Sequence, residues 1–237
     1  MLTLFDTRAG EPRPVPAARP GWLGTTVVAG PATGPGRRAC LVADLIRRAG
    51  THHHLRAETR WLGAGEDLAA LARACEAMNV PPASTSPGPP AWTDVWVTAG
   101  GEVPGEAPGL LVRVTAAGTA REGAATDPLA VRLALLGRHY REQVDLTGAA
   151  LAEADAALTH WRRLVADWAR SPSVPAPAAY VSAVIAALDD DLDTPAVLTV
   201  MMTLAADGGV SDGAKFEAFA LLDKFTGLDL ARDVGRY

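Results

Sequence analysis

DPLAVRLALLGRHYREQVDLTGAALAEADAALTHWRRLVADW, residues 127–168, decides the architecture. Pro128 suits a first helical position, where its missing N–H goes unused. Leu129, Leu133, Leu136 and Tyr140 then recur at 4-3-4 spacing, one apolar stripe of a helix. Thr147 has the side chain of an N-cap. After it Leu151, Ala154, Leu158, Trp161, Val165 and Trp168 follow at 3-4-3-4-3 spacing, which predicts a long helix packed along its length. Trp161 falls inside that stripe, and Arg162 falls outside it, where the pattern expects solvent.

Working toward the C-terminus, Pro172, Pro175 and Pro177 end this helix. Three shorter helices are expected near 178–188, 195–206 and 211–226, the last closed by Gly227. Five helices with short connections make a bundle.

Working toward the N-terminus, the texture changes. Residues 2–5 and 25–28 read as short buried strands, and the second runs into a Gly/Pro-rich loop at 30–36. A helix follows with Leu41, Val42, Leu45 and Ile46 on one side and Gly50 as its cap. His53, Leu55, Ala57, Thr59 and Trp61 alternate with polar residues, so a strand with one wet face is expected from 52 to 61. Leu68, Leu71, Cys75 and Met78 mark a second helix, and PPASTSPGPP (81–90) reads as irregular. Residues 92–98 and 110–115 read as two more strands. The expected fold is thus α/β then all-α: a reduced Rossmann-type domain over 1–120 and a helical bundle over 121–237, divided in the Gly/Ala/Thr-rich stretch 116–126.

Composition bounds the function. The 237 residues are 49% hydrophobic and 21% charged, with a formal charge of −5, so nothing global favours nucleic acid or an anionic membrane. Two cysteines, Cys40 and Cys75, both on helical apolar stripes, read as buried free thiols and not a disulfide framework. No basic, apolar leader opens the chain and no apolar run reaches membrane-spanning length, so no membrane association and a cytoplasmic location are expected.

Several phrases resemble a known family. DPLAVRLALLGRHYREQVDLTGAALAEADAAL (127–158) and ALDDDLDTPAVLTVMMTLA (187–205) are similar, in order and spacing, to the helical domain of cysteinyl-tRNA synthetases and of the related cysteine ligase of mycothiol biosynthesis. LTLFDTRAGEPRPVPA (2–17), VVAGPATGPGRRACLVADLIRRAG (27–50) and ALARACEAMNVPPASTSPGPP (70–90) resemble the opening of its catalytic domain. The resemblance implies a class I synthetase-like fold, here as a shortened, degenerate paralogue.

The departures from the family pattern bear on chemistry. Where the family places a zinc-binding cysteine before Gly-Pro, this chain has Ala29, which offers no ligand. The His-Ile-Gly-His motif that holds ATP phosphates is replaced by PATGPGRR (31–38), without a histidine. The Lys-Met-Ser-Lys-Ser loop is replaced by VTAAGTAREGAATDP (114–128), and no lysine precedes Lys215. Activation of an amino acid this way needs charge stabilisation on the ATP phosphates. The family's zinc and its activity are therefore not expected here, and no catalytic residue is assigned.

Individual motifs remain open to two readings. The loop at 30–36 opens a helix, so Gly30, Gly34, Gly36 and Arg37 are candidates for a remnant nucleotide cleft, or they form a shortened structural turn. His52, His53 and His54 would offer at most two converging metal ligands on a strand. Asp189, Asp190, Asp191 and Asp193 precede a helix, as caps or as a cation site, with Asp193 or Thr194 as the cap. Arg132, Arg138 and Arg141 form a candidate RNA contact or a solvated face. The first reading is a non-aminoacylating pseudoenzyme that binds a protein, a tRNA or other RNA, or a small-molecule ligand. The alternative is a remodelled ligase or transferase using ATP or an aminoacyl donor. An enzyme should have a deep cleft near Gly30 and a binding module an exposed patch. Sequence leaves the oligomeric state open.

Overall fold

The computed structural model describes residues 1–16, 18–28, 34–63, 66–88, 90–103, 105, 108–115, 117–118 and 127–236. Strands β3 (Trp22–Val28), β4 (Arg56–Leu62), β5 (Ser84–Ser86), β6 (Val95–Thr98) and β7 (Leu110–Arg113) form one sheet in the order β5-β4-β3-β6-β7. Every pairing in it is parallel. The order reverses between β3 and β6, which makes it a doubly wound, Rossmann-like sheet. An antiparallel hairpin of β1 (Thr3–Asp6) and β2 (Glu11–Pro14) precedes it and is fastened to β7, with Thr7 N–H donating to the Leu111 carbonyl at 2.7 Å.

Helix α1 (Gly34–His52) links β3 to β4 and packs on the face bearing Leu23 and Ala57, the side chains that Gly50 approaches. Helix α2 (Glu66–Ala77) lies on the same side, against Trp61. Side chains alternate along a strand, so Trp22, Gly24, Arg56 and Arg60 lie on the opposite face. Connections cover that face at its centre. The Trp92 ring lies on Gly24, where a Cβ would be 2.3 Å from the ring, and Trp96 Nε1–H donates to the Pro108 carbonyl at 2.8 Å.

The second half is helical: α3 (Pro128–Leu136), α4 (Gly148–Trp168), α5 (Ala178–Asp189), α6 (Thr194–Ala206) and α7 (Asp212–Thr226). Thr147 caps α4, accepting from Ala150 N–H at 3.2 Å, and Gly227 ends α7 in the left-handed region at φ 64°. All six residues of the α4 stripe are buried, and the Trp161 and Trp168 rings meet Phe219 edge-on. The core runs unbroken from the sheet through α1 into the bundle. Among the described residues, no helix is long and apolar enough to cross a membrane.

Three expectations are corrected. The strand expected from residue 52 begins at Arg56: α1 continues to His52, and His54 turns the chain at φ 61°. Polar alternation at 52–55 therefore carried no strand information. The 81–90 segment, expected to be irregular, contributes β5, because an edge strand of Ser84–Ser86 needs only one ladder partner and tolerates flanking prolines. Arg162, expected to face solvent, is 5% exposed.

Candidate functional site

In an open parallel sheet the expected ligand crevice lies outside the carboxyl ends of the strands where their order reverses. Here that place lies between Val28 and Thr98, and the described residues beside it pack closely. A Cβ on Gly101 would be 2.6 Å from Val28 Cγ1. Thr98 Oγ1 donates to the Gly101 carbonyl at 2.9 Å and accepts from Gly100 N–H at 3.2 Å, locking the connection onto the strand ends. On the other side, at the start of α1, a Cβ on Gly34 would be 2.8 Å from the carbonyl oxygens of both Ala117 and Gly118. Gly118 N–H is held by the Val144 carbonyl at 2.8 Å, so this covering segment is itself anchored. Backbone carbonyls thus lie against the first residue of α1. Of the remnant-cleft candidates, Gly34 and Gly36 are buried and Arg37 is half-buried. Gly30, with Ala29, lies outside the described residues.

The cations nearby are committed to holding segments together. Arg38 donates to the Thr115 carbonyl at 2.9 Å, to the His139 carbonyl at 2.8 Å and to the Glu142 carbonyl. Burial lowers its pKa to about 10, which still leaves it charged at neutral pH. Arg132 is fully buried and donates to Asp44 Oδ2 at 2.8 Å, to the Met78 carbonyl at 3.0 Å and to the Thr226 carbonyl. Burial alone would raise the Asp44 carboxyl, but Arg132 and Arg48 outweigh it and hold it below its ordinary value. Arg132 is therefore internal cement and offers nothing to an RNA.

The other two arginines of that candidate contact separate. Arg138 is exposed, and Arg141 stacks on the Phe5 ring at 3.5 Å and lies 3.4 Å from Asp191. Sequence reasoning missed the buried role of Arg132 because it scores every arginine as polar surface. The signal was present: α3 is apolar all round except at Arg132, and such a helix is buried with its charge paired inside.

The acidic run is likewise structural. Asp193 caps α6, accepting from Ala196 N–H at 3.0 Å. Asp189 meets the Met1 amino group at 2.8 Å and His53 at 2.6 Å. Asp191 accepts from Phe5 N–H at 2.8 Å and from the Tyr140 hydroxyl, joining β1 to the bundle. Among the described residues, no three His, Cys, Asp or Glu side chains gather as a metal would require. Cys40 and Cys75 are buried, and the Cys75 thiol beside it, together with burial, pushes the Cys40 thiol pKa well up, toward the inert form.

A groove of about 510 Å³ lies between α3, α4 and α6. Its floor is apolar, with Leu133, Leu146, Trp161 and Leu198, and Arg138, Asp145 and the exposed Met202 stand at its edge.

These folds and contacts can be set beside known proteins. The chain is 41% identical over 114 residues to the L-cysteine:1D-myo-inositol 2-amino-2-deoxy-alpha-D-glucopyranoside ligase of Streptomyces griseus, covering 46% of this chain and 26% of that protein. It is 42% identical over 92 residues to the cysteine–tRNA ligase of Cereibacter sphaeroides, covering 39% of this chain and 17% of that protein. Nearly half of this chain is related to the cysteine ligases. A further such ligase, from Thermobispora bispora, is 38% identical over 104 residues, 44% of this chain and 25% of that protein. The chain thus matches about a quarter or less of the length of these cysteine ligases. No family model matches it. The Rossmann-like sheet followed by helices agrees with the class I synthetase-like architecture that the resemblance implied.

Proposed function

We propose that this cysteine-ligase relative works by binding and does not activate cysteine. The observation that carries this reading is the close packing at the strand ends: Gly101 rests on Val28, and the Ala117 and Gly118 carbonyls lie against Gly34. A phosphate set against Gly34 would meet these two carbonyl oxygens and not hydrogen-bond donors. Sequence points the same way, with no histidine in PATGPGRR and no lysine before Lys215. Losing a single oxyanion-type contact typically slows catalysis by ~10²–10³-fold, and this chain lacks both phosphate-handling motifs. A remodelled ATP- or aminoacyl-dependent ligase is the competing reading, and it requires ATP to be held without either phosphate-handling motif.

The test is cysteine-dependent exchange of pyrophosphate into ATP, with thermal shift in ATP, cysteine and tRNA alongside. No exchange and no ATP-induced shift are expected. Exchange at the rate of a working synthetase would sink the proposal.

A further inference from the structure

Parallel sheets ordinarily carry helices on both faces. Here α1 and α2 share one face, and the other shows a band of arginine and tryptophan toward the amino ends of β3 and β4. Trp22 pairs with Arg56 across the two strands, and the Arg56 guanidinium lies 5.6 Å from the Trp22 ring centre. Trp22 is 38% exposed, high for so large an apolar ring. Beside it the Trp92 ring lies flat on Gly24, with the guanidiniums of Arg19 and Arg60 at 4.7 and 4.9 Å from its centre. Arg60 is neutralised by Glu58 at 2.6 Å, whereas Arg19 and Arg56 are exposed. The half-exposed edge strand β5 adds Ser84, paired in register with Arg60.

We propose that this face docks single-stranded nucleic acid, with Trp22 as a stacking platform and Arg19 and Arg56 facing the phosphates. The inference rests on the reading that the chain acts by binding. Its surface lies at the opposite end of the strands from Gly34 and Gly101. Two observations choose the occupant. The band is cationic on a chain of net charge −5, so it selects an anion locally. A flat, exposed indole beside guanidiniums suits a ligand that carries both planar rings and negative charge, the pairing used by single-strand binders. A second copy of the chain is disfavoured, because a two-fold contact would set Arg19 and Arg56 against themselves.

The experiment titrates the full-length protein into fluorescein-labelled oligo-uridylate and oligo-adenylate at low salt, followed by anisotropy and by quenching of intrinsic tryptophan fluorescence. Matched duplex and polyglutamate serve as competitors. Binding should quench tryptophan, weaken as salt rises, and exceed that of the duplex. Trp22→Ala should weaken it about tenfold. Arg56→Gln should weaken it several-fold and reduce the salt slope by about one. Both positions are exposed, so both variants should keep the parent's melting curve, and Arg56→Gln still decides the matter if Trp22→Ala does not.

No binding, binding that neither substitution weakens, or equal competition by polyglutamate overturns the proposal, the last in favour of an acidic protein segment. A parent dimer split by Trp22→Ala overturns it in favour of a second copy. Pyrophosphate exchange is measured on the same preparation. Absent exchange without oligonucleotide binding removes this inference alone, whereas exchange removes the non-activating reading.

Discussion

A guanidinium taken into a helical bundle has to bring its acceptors with it, because an unpaired buried charge is far costlier than an unpaired surface one. Arg162 does so. It reaches Asp127 at 2.7 Å, the Leu228 carbonyl at 3.0 Å and the Asp229 carbonyl at 3.2 Å. Asp127 is simultaneously the N-cap of α3, accepting from Leu129 N–H at 2.9 Å, so one side chain joins α4, the start of α3 and the tail beyond α7. Arg162→Ala should therefore cost on the order of 3 kcal/mol, comparable with the roughly 3–5 kcal/mol expected for Trp161→Ala. Arg163→Ala, next along and exposed, should stay within about 0.5 kcal/mol. Urea denaturation of the three variants checks this, and an Arg162 variant that behaves like the Arg163 one would show the buried network to be energetically idle. The hydrophobic stripe of α4 was legible because its spacings repeat over the whole helix. Arg162 was not, because periodicity assigns a face by side-chain type and cannot see acceptors supplied from distant segments.

At the scale of elements, the order and kind of nearly every helix followed from spacing, caps and breakers, down to Thr147 and Gly227 in their expected roles. What escaped was short or set by tertiary contact. Strand β2, Glu-Pro-Arg-Pro, has no strand composition and exists because β1 offers it a ladder, and β5 exists by the same means beside β4. The candidate cleft was legible only as a choice between an anion cradle and a turn. The contact that bears on that choice, the Ala117 and Gly118 carbonyls against Gly34, joins residues more than eighty apart, and no local pattern encodes it. That contact makes its own prediction. Alanine is the better helix former, yet Gly34→Ala should destabilise by about 1–3 kcal/mol, because the added methyl meets backbone that has to shift. A thermal melt unchanged or raised by Gly34→Ala would mean that the two carbonyls do not press on Gly34 in solution.

For the whole molecule, charge as well as core packing holds the parts together, between the sheet layer and the bundle at one pair and within the bundle at another. Asp44 of α1 meets Arg132 of α3, and Asp127 meets Arg162 and Arg232. Burial opposes ionisation at both carboxyls, yet their arginine partners, helped at Asp127 by Leu129 N–H, hold both below the ordinary 3.8. The unfolded chain then binds protons first as pH falls, so stability is fully present above the ordinary carboxylate range and is lost as pH drops toward the depressed folded-state values. Melting temperature should be nearly flat around neutrality and decline from about pH 5 downward. A melting temperature that holds steady down to about pH 3 would contradict the role given to these pairs.

The Asp44–Arg132 pair also has a consequence for heredity. The two positions do not drift independently: losing Asp44 strands the fully buried Arg132 charge, whereas losing Arg132 leaves Asp44 to Arg47 and Arg48 alone. In a library of variants, Asp44→Leu should be depleted more strongly than Arg132→Met, which leaves Asp44 its Arg47 and Arg48 partners, and the two together should lose less stability than their separate losses add up to. Across descendants of this chain the two sites are therefore expected to change in concert or stay fixed, a linked inheritance imposed by one 2.8 Å contact.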